Sequence, residues 1–266
     1  MKEILKENRI DGLFESVQGG ILSVYFTAGY PNLDDTLTII KNIENAGADL
    51  IEIGIPFSDP IADGPTIQQS NQVALDNGMH LSLLLDQLSN IRSKVKVPLI
   101  LMGYLNPLLQ FGIKKLCAKC HEIGIDGFII PDLPIDEYLN QYQSIFESFG
   151  LFNIFLISPH TSRERILRID QNTKGFIYMV AAASTTGVRD TVSEDQIAYF
   201  ARIQAMKLNN PTLIGFGISN KAGFDQACLY ASGVIIGSAF IEILSRSKNL
   251  EIDIQQFIDS IKGNKH

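Results

Sequence analysis

Two carboxylates and two glycine-ended runs are the parts of this chain whose residue types and spacing could do chemistry. The first carboxylate is Glu52, set between Ile51 and Ile53 at the head of the stretch EIGIPFSDPIADGPTIQ, residues 52–68. Burying a bare charge in such an apolar run is expensive, so Glu52 is either tied up by nearby donors or employed as an acid or base. The loop that follows is dense in Pro, Asp and Gly. Taken alone, Asp59 and Asp63 are turn residues that bond nearby N–H groups, with Pro65 opening a helix. Beside a glutamate, a second carboxylate supplies the partner that acid–base chemistry needs, and one of Asp59 and Asp63 is expected to be functional. Toward the C-terminus, IGFGIS (214–219) and VIIGSAF (234–240) each end a β-rich run in glycine and pass into a helical pattern. Backbone N–H groups and helix N-termini at such junctions receive anions, and glycine lets a ligand come close. Either junction alone reads equally as tight packing of strand on helix; the pair points to a small phosphorylated substrate.

The pattern CAKCH (117–121) matches the C-x-x-C-H of covalent haem attachment. Its context argues otherwise. Ile113, Leu116, Cys117 and Cys120 recur at helical spacing, as buried thiols on an amphipathic helix do, and Cys228 is the only other cysteine. Neither a disulfide framework, a metal nor haem is expected.

The elements that must position these groups alternate along the chain. Short β-rich runs occupy 22–27, 50–55, 98–102, 127–130, 153–157, 176–180, 212–216 and 234–236. Between them lie stretches with helical periodicity, among them 33–48, 80–95, 135–150 and 193–208, and TSRE (161–164) reads as a capping box opening the helix after the fifth run. Eight such units in a chain of this size fit a closed (β/α)8 barrel, here one domain over 1–266 with an extra N-terminal helix. A doubly wound open sheet is the competitor, but the first run leads into TAGYPN, which lacks the glycine fingerprint of that fold. In a barrel strand alternate residues face opposite sides. If Ile51, Ile53 and Ile55 face the helices, then Leu50, Glu52 and Gly54 point inward, and Glu52 sits near the C-terminal mouth where such barrels keep their active sites. The same parity turns Ser23, Tyr25, Thr27, Ile100, Met102, Tyr104, Phe176 and Tyr178 inward.

The chain has 266 residues, 45% hydrophobic and 19% charged, with a net charge of −7. That balance argues against nucleic acid as a partner. The longest apolar stretch, 231–244, carries Glu242 and two glycines and is too short to span a bilayer. The first residues, MKEILKENRIDGLFESV, lack the uninterrupted apolar core of a signal peptide, so no membrane association and a cytoplasmic location are expected.

Taken together, YFTAGYPN, IEIGIPFSDPIADGPTIQ, MGYLNP, GIDGFIIPDLPIDE, TTG, IGFGIS and GVIIGSAF run through the whole chain, and the second and fourth are highly specific. In these motifs the chain resembles the tryptophan synthase α subunit family. The resemblance implies a (β/α)8 barrel that cleaves indole-3-glycerol phosphate to indole and glyceraldehyde 3-phosphate by a retro-aldol reaction. It implies no cofactor in this subunit, and a partner β subunit that carries pyridoxal phosphate, the two assembling as α2β2. By the same resemblance Glu52, Asp63 and Tyr178 are the catalytic residues. Tyr25 lines the indole pocket, Thr186 bonds Asp63 beneath a closed lid, and the N–H groups of Gly187, Phe216, Gly217, Gly237 and Ser238 take the phosphate. Phe57, Ser58, Asp59, Pro60, Asn106, Pro107, Asp132 and Pro134 belong to faces toward the partner. One segment departs from the family: AAASTTG (181–187) puts Ser184 where relatives carry glycine. A residue with a Cβ resists positive φ, so altered lid closure is expected. Two other readings accompany the lyase subunit, a non-catalytic ligand-binding activator of β and a free-standing indole-releasing lyase.

Overall fold

A computed structural model describes residues 8–181, 193–215 and 217–263. Eight strands, β1 (Ile21–Thr27), β2 (Leu50–Gly54), β3 (Leu99–Met102), β4 (Gly127–Ile129), β5 (Phe152–Ile157), β6 (Ile177–Val180), β7 (Thr212–Gly215) and β8 (Gly233–Ile236), form a closed barrel in sequence order. Every pairing is parallel, and β8 closes on β1 through Ile21↔Gly233 to Val24↔Ile236. The strands begin and end within a residue of the runs expected from sequence. Helices follow the strands, as a parallel order requires.

The apolar residues divide by strand parity into two cores. Leu22, Val24, Phe26, Ile51, Ile53 and Ile55 face outward and pack with helix residues such as Ile39, Ile40 and Ile43. Ile21, Leu50, Ile100, Ile129, Ile154, Phe176, Tyr178, Leu213 and Ile235 fill the barrel interior. The N-terminal helix, Arg9–Ser16, closes the floor: its fully buried Ile10 joins the interior cluster, and Phe14 lies 5.9 Å from the Phe176 ring.

Two local expectations are corrected. The helix after β5 runs Arg163–Asn172 with Ser162, not Thr161, as its N-cap, accepting from the Arg165 N–H. Thr161 is drawn off into its own turn, where its hydroxyl accepts from the Ser158 N–H at 2.9 Å. A reciprocal capping box does open Glu194–Gln204, between Ser193 and Gln196. The helical stretch 135–150 is also not uniform: a π turn at Tyr138–Tyr142 separates α-helical Ile135–Glu137 from Gln143–Ser148.

Asp126, at the entrance to β4, ties the floor together. Its carboxylate is almost fully buried and accepts from Arg9 at 2.8 Å, from Arg92 at 2.5 Å and from the Leu99 N–H at 2.8 Å. Arg92 also reaches the carbonyls of Gly124 and Val97, and the N-cap residue Asn8 reaches those of Asp126 and Gly150. Removing one member of a buried ion pair leaves charge and N–H groups without partners. Asp126→Ala should therefore lower the unfolding free energy by about 3 kcal/mol in urea titrations, with the specific activity of the folded fraction unchanged.

Candidate active site

Glu52 lies on β2 in register with Tyr25 of β1. Its neighbours Ile51 and Ile53 belong to the outer core, so the carboxyl turns into the barrel, where it is 0% exposed. Oε1 accepts a hydrogen bond from Ser23 Oγ at 2.7 Å, and Oε2 is buried with no hydrogen-bond partner among the described residues. Burial penalises the charged form and pushes the carboxyl up to about 7, with the Ser23 bond pulling in the opposite direction. Near neutrality such a group is divided between acid and carboxylate, the condition in which one side chain can both give and take a proton.

Asp63 is half-buried in the loop after β2. The Tyr104 hydroxyl donates to its Oδ2 at 3.0 Å, and the same Tyr104 oxygen accepts from the Ala62 N–H at 2.9 Å. Burial raises the Asp63 pKa, while hydrogen bonds from Tyr104 and Asn71 oppose the rise. Tyr104 is in turn stacked on Phe57, ring centres 5.1 Å apart. Asp59 has a different setting: it is exposed and paired with Ser58. Of the two loop aspartates, the geometry brings Asp63 to the mouth.

Tyr25 and Tyr178 lie within electrostatic reach of both carboxylates. Both are buried, and burial raises both hydroxyl pKa values; Asp63 and Glu52 add to the rise at each ring, so both hydroxyls stay neutral. Their seats are made by glycines. A Cβ on Gly54 would come within 2.3 Å of the Tyr25 hydroxyl, and one on Gly215 within 2.3 Å of the Tyr178 ring, so any side chain there would displace a tyrosine. Ser70 donates to the Ile67 carbonyl at 2.9 Å, which leaves Thr27 to donate to Ser70 at 2.7 Å. These bonds tie the end of β1 to the helix Pro65–Asp76.

The two glycine junctions lie at the ends of β7 and β8. Gly217 has φ +79°, and no atom of the described residues lies within 4 Å of where a Cβ would stand. Gly237 precedes the helix Ser238–Arg246, whose N-terminus has no side-chain cap, so its first N–H groups remain available to an anion. A Cβ on Gly237 would press on the Tyr25 ring at 3.2 Å, so this end of the site adjoins that ring. Thr186, Gly187 and Phe216 lie outside the described residues, as does the segment containing Ser184. Ser58, Asp59, Asn106 and Pro134 are exposed, and Phe57, Pro60, Pro107 and Asp132 are partly buried. Asp132 accepts from the Leu105 N–H at 2.9 Å and so joins two of these loops.

Cys117 and Cys120 are buried on the helix Ile113–Ile123, and burial raises both thiol pKa values, Cys117 to about 12. Among the described residues no group of three or more His, Cys, Asp and Glu is placed to hold a metal ion, and no helix is long and apolar enough to cross a membrane. Sequence reasoning placed Ser23 and Tyr104 inside without seeing their partners, and it missed Ser70 and Asn71. The signal for the latter was present: Ile67, Ser70, Asn71 and Ala74 form the buried stripe of the helix Pro65–Asp76, and two polar residues on such a stripe need partners across it.

A closed eight-stranded (β/α)8 barrel with two carboxyl groups and two buried tyrosines toward its C-terminal mouth is the class of protein this geometry defines, and these are groups that acid–base chemistry can use. A sequence profile of the tryptophan synthase alpha chain family matches residues 15–265. The chain is 58% identical over 242 residues to the tryptophan synthase alpha chain of Flavobacterium johnsoniae, covering 91% of this chain and 95% of that one. It is 52% identical over 255 residues to that of Parabacteroides distasonis, covering 96% and 99%. The crystal structure of tryptophan synthase subunit alpha from Legionella pneumophila str. Paris superposes with a TM-score of 0.86 at 32% identity, over 97% of this chain and 98% of that chain. The chain belongs to the tryptophan synthase alpha chain family, and it is a lyase of tryptophan biosynthesis.

Two outcomes test this geometry. Since the Glu52 carboxyl is raised from 4.5 to about 7, the folded chain retains a proton that the unfolded chain releases in that window. Stability therefore falls as pH rises from about 4.5 to 7 and stays reduced above it. Glu52→Gln removes the penalty, so its stability advantage over the parent should grow by roughly 3 kcal/mol between pH 4.5 and 8 in urea unfolding. Tyr104→Phe deletes a donor to the Asp63 carboxylate and should lower kcat/KM about tenfold or more in steady-state assays, leaving the fold intact by circular dichroism.

Proposed function

We propose that this chain is a working α subunit of tryptophan synthase whose Glu52 and Asp63 drive the retro-aldol cleavage of indole-3-glycerol phosphate. The observation that carries the reading is a fully buried glutamate held near neutral pKa, with Asp63 facing the same pair of tyrosines. The carbon–carbon bond breaks only after indole C3 gains a proton and while the C3′ hydroxyl loses one. Glu52 as the acid protonates C3, and the resulting carboxylate takes the hydroxyl proton as the bond cleaves, which restores the acid. Asp63 holds the indole N–H and steadies the positive charge that builds on the ring. Indole leaves as the neutral arene and glyceraldehyde 3-phosphate as the aldehyde.

Tyr178 supports the glycerol portion and Tyr25 lines the indole pocket. The phosphate rests on N–H groups of Gly187, Phe216, Gly217, Gly237 and Ser238, an assignment supported by the positive φ of Gly217 and the uncapped helix N-terminus after Gly237. This chain needs no cofactor for the cleavage. Indole passes to a β subunit, whose pyridoxal phosphate serves its joining to serine, in a cytoplasmic α2β2 assembly. The docking face is supported by exposed apolar side chains, Ile61 at 81% in the loop carrying Phe57 to Pro60 and Leu109 at 45% on the helix carrying Asn106 and Pro107. A non-catalytic activator would have no use for a buried carboxyl that lowers stability at neutral pH.

Glu52→Gln and Asp63→Asn should each abolish indole formation, since a positioned proton transfer contributes about 10²- to 10⁴-fold. Indole release is to be measured with and without a matching β subunit. Stimulation by β supports the synthase subunit, strong release from the chain alone indicates a free-standing lyase, and no release in either case leaves the activator. Full activity in either variant overturns the assigned roles.

A further inference from the structure

Ser23 is out of place in the barrel interior. Its partners in register are Leu50 on β2 and Ile235 on β8, in an interior cluster that also holds Ile21, Ile100 and Phe176, yet Ser23 is fully buried there. On β1 it pairs with Leu50, while Glu52 pairs with Tyr25, one inward position nearer the mouth. The glutamate side chain thus leans back toward the floor to meet the serine, and the Oγ–Oε1 distance is 2.7 Å. The other carboxyl oxygen, equally buried, has no hydrogen-bond partner among the described residues. A hydroxyl placed in an apolar layer with one neighbouring acceptor is specific to that acceptor.

We propose that Ser23 is a positioning residue for Glu52: it pins Oε1, leaves Oε2 as the oxygen that exchanges protons with the substrate, and sets the pH at which Glu52 acts. A hydroxyl bond to an ionised carboxylate is stronger than one to the neutral acid, so Ser23 draws the glutamate toward the charged form against the burial that favours the acid. The other titratable groups facing Glu52 are Tyr25 on β1 and Tyr178 on β6, both held neutral, while β3 presents Ile100 and Met102. Among the described residues, Ser23 is thus the group that opposes burial. A carboxyl free at both oxygens would rotate about its last bond; one pinned at Oε1 presents Oε2 in a fixed direction, which is the pre-organisation that proton transfer requires.

The inference rests on Glu52 being the acid–base group, and the test separates the two. The Glu52 carboxyl is titrated directly by carbon-13 NMR in the full chain, its signal assigned by loss in Glu52→Gln, and the pH profile of kcat for indole release is measured alongside. Ser23→Ala should raise the midpoint by about one pH unit, a tenfold rise in the ratio of acid to carboxylate at a given pH. The limb of the kcat profile that belongs to Glu52 should move with it, at nearly constant KM. Ser23→Thr, which keeps the hydroxyl, should return both to within a few tenths of a unit. If Ser23→Ala does not fold, Ser23→Cys replaces the hydroxyl by a weaker donor of similar size and should shift the midpoint in the same direction. A midpoint that stays in place when the hydroxyl is removed or weakened overturns the proposal. An active Glu52→Gln overturns the acid–base reading instead, and the titration still decides whether Ser23 governs the carboxyl.

Discussion

A carboxyl group shut inside a barrel with one hydrogen-bond donor is the constraint on which the rest of this molecule turns. Water would stabilise the Glu52 carboxylate better than the barrel does, and the protein keeps it there only because the surrounding core is strong enough to carry the penalty. The interior cluster of isoleucines, leucines and aromatic rings supplies that core. What the arrangement yields is a group whose two protonation states are close in free energy at neutral pH, which no solvated glutamate offers. The local loss of stability and the proton-transfer capacity are one physical fact seen from two sides.

Holding such a group in place makes demands at both ends of the barrel. At the floor, the N-terminal helix drives Ile10 into the interior and Asp126 gathers Arg9, Arg92 and the start of β3. Water entering from below would solvate the glutamate and dissolve its pKa shift; Ile10, seated in the interior cluster, keeps that end dry, while the Asp126 ion pairs contribute the stability that anchors the floor. At the mouth, Gly54 and Gly215 give up their side chains so that Tyr25 and Tyr178 can lean across the strands. Those rings bring buried apolar surface to the mouth while their hydroxyls stay neutral.

How much of this could be read from residues alone depended on whether the feature is a matter of pattern or of partner. The eight strands and the inward turn of Glu52 follow from period-2 alternation between isoleucines, and the barrel obeys that pattern to within a residue. Pattern tells which way a side chain points and stops there. Ser23 and Tyr104 were turned inward by parity, but the bonds to Glu52 and Asp63 join residues on different elements and depend on strand register and loop path. The choice between Asp59 and Asp63 stays open at the level of residues for the same reason, since both sit in one stretch rich in turn residues and only the path of the loop separates an exposed carboxylate from one against Tyr104. The capping box at Thr161 slipped by one residue because the preceding turn competed for that hydroxyl with a backbone N–H of its own.

The loop after β2 carries two assignments at once, and Tyr104 is where they meet. One face of its ring is covered by Phe57, which belongs to the proposed docking surface, while its hydroxyl is committed to Asp63 and to the Ala62 N–H. The Ala62 N–H bond opposes free sliding of that ring, because moving the Tyr104 oxygen away from Asp63 also strips a backbone donor of its acceptor. Phe57, Ala62 and Asp63 of one loop thus converge on a single tyrosine of the next.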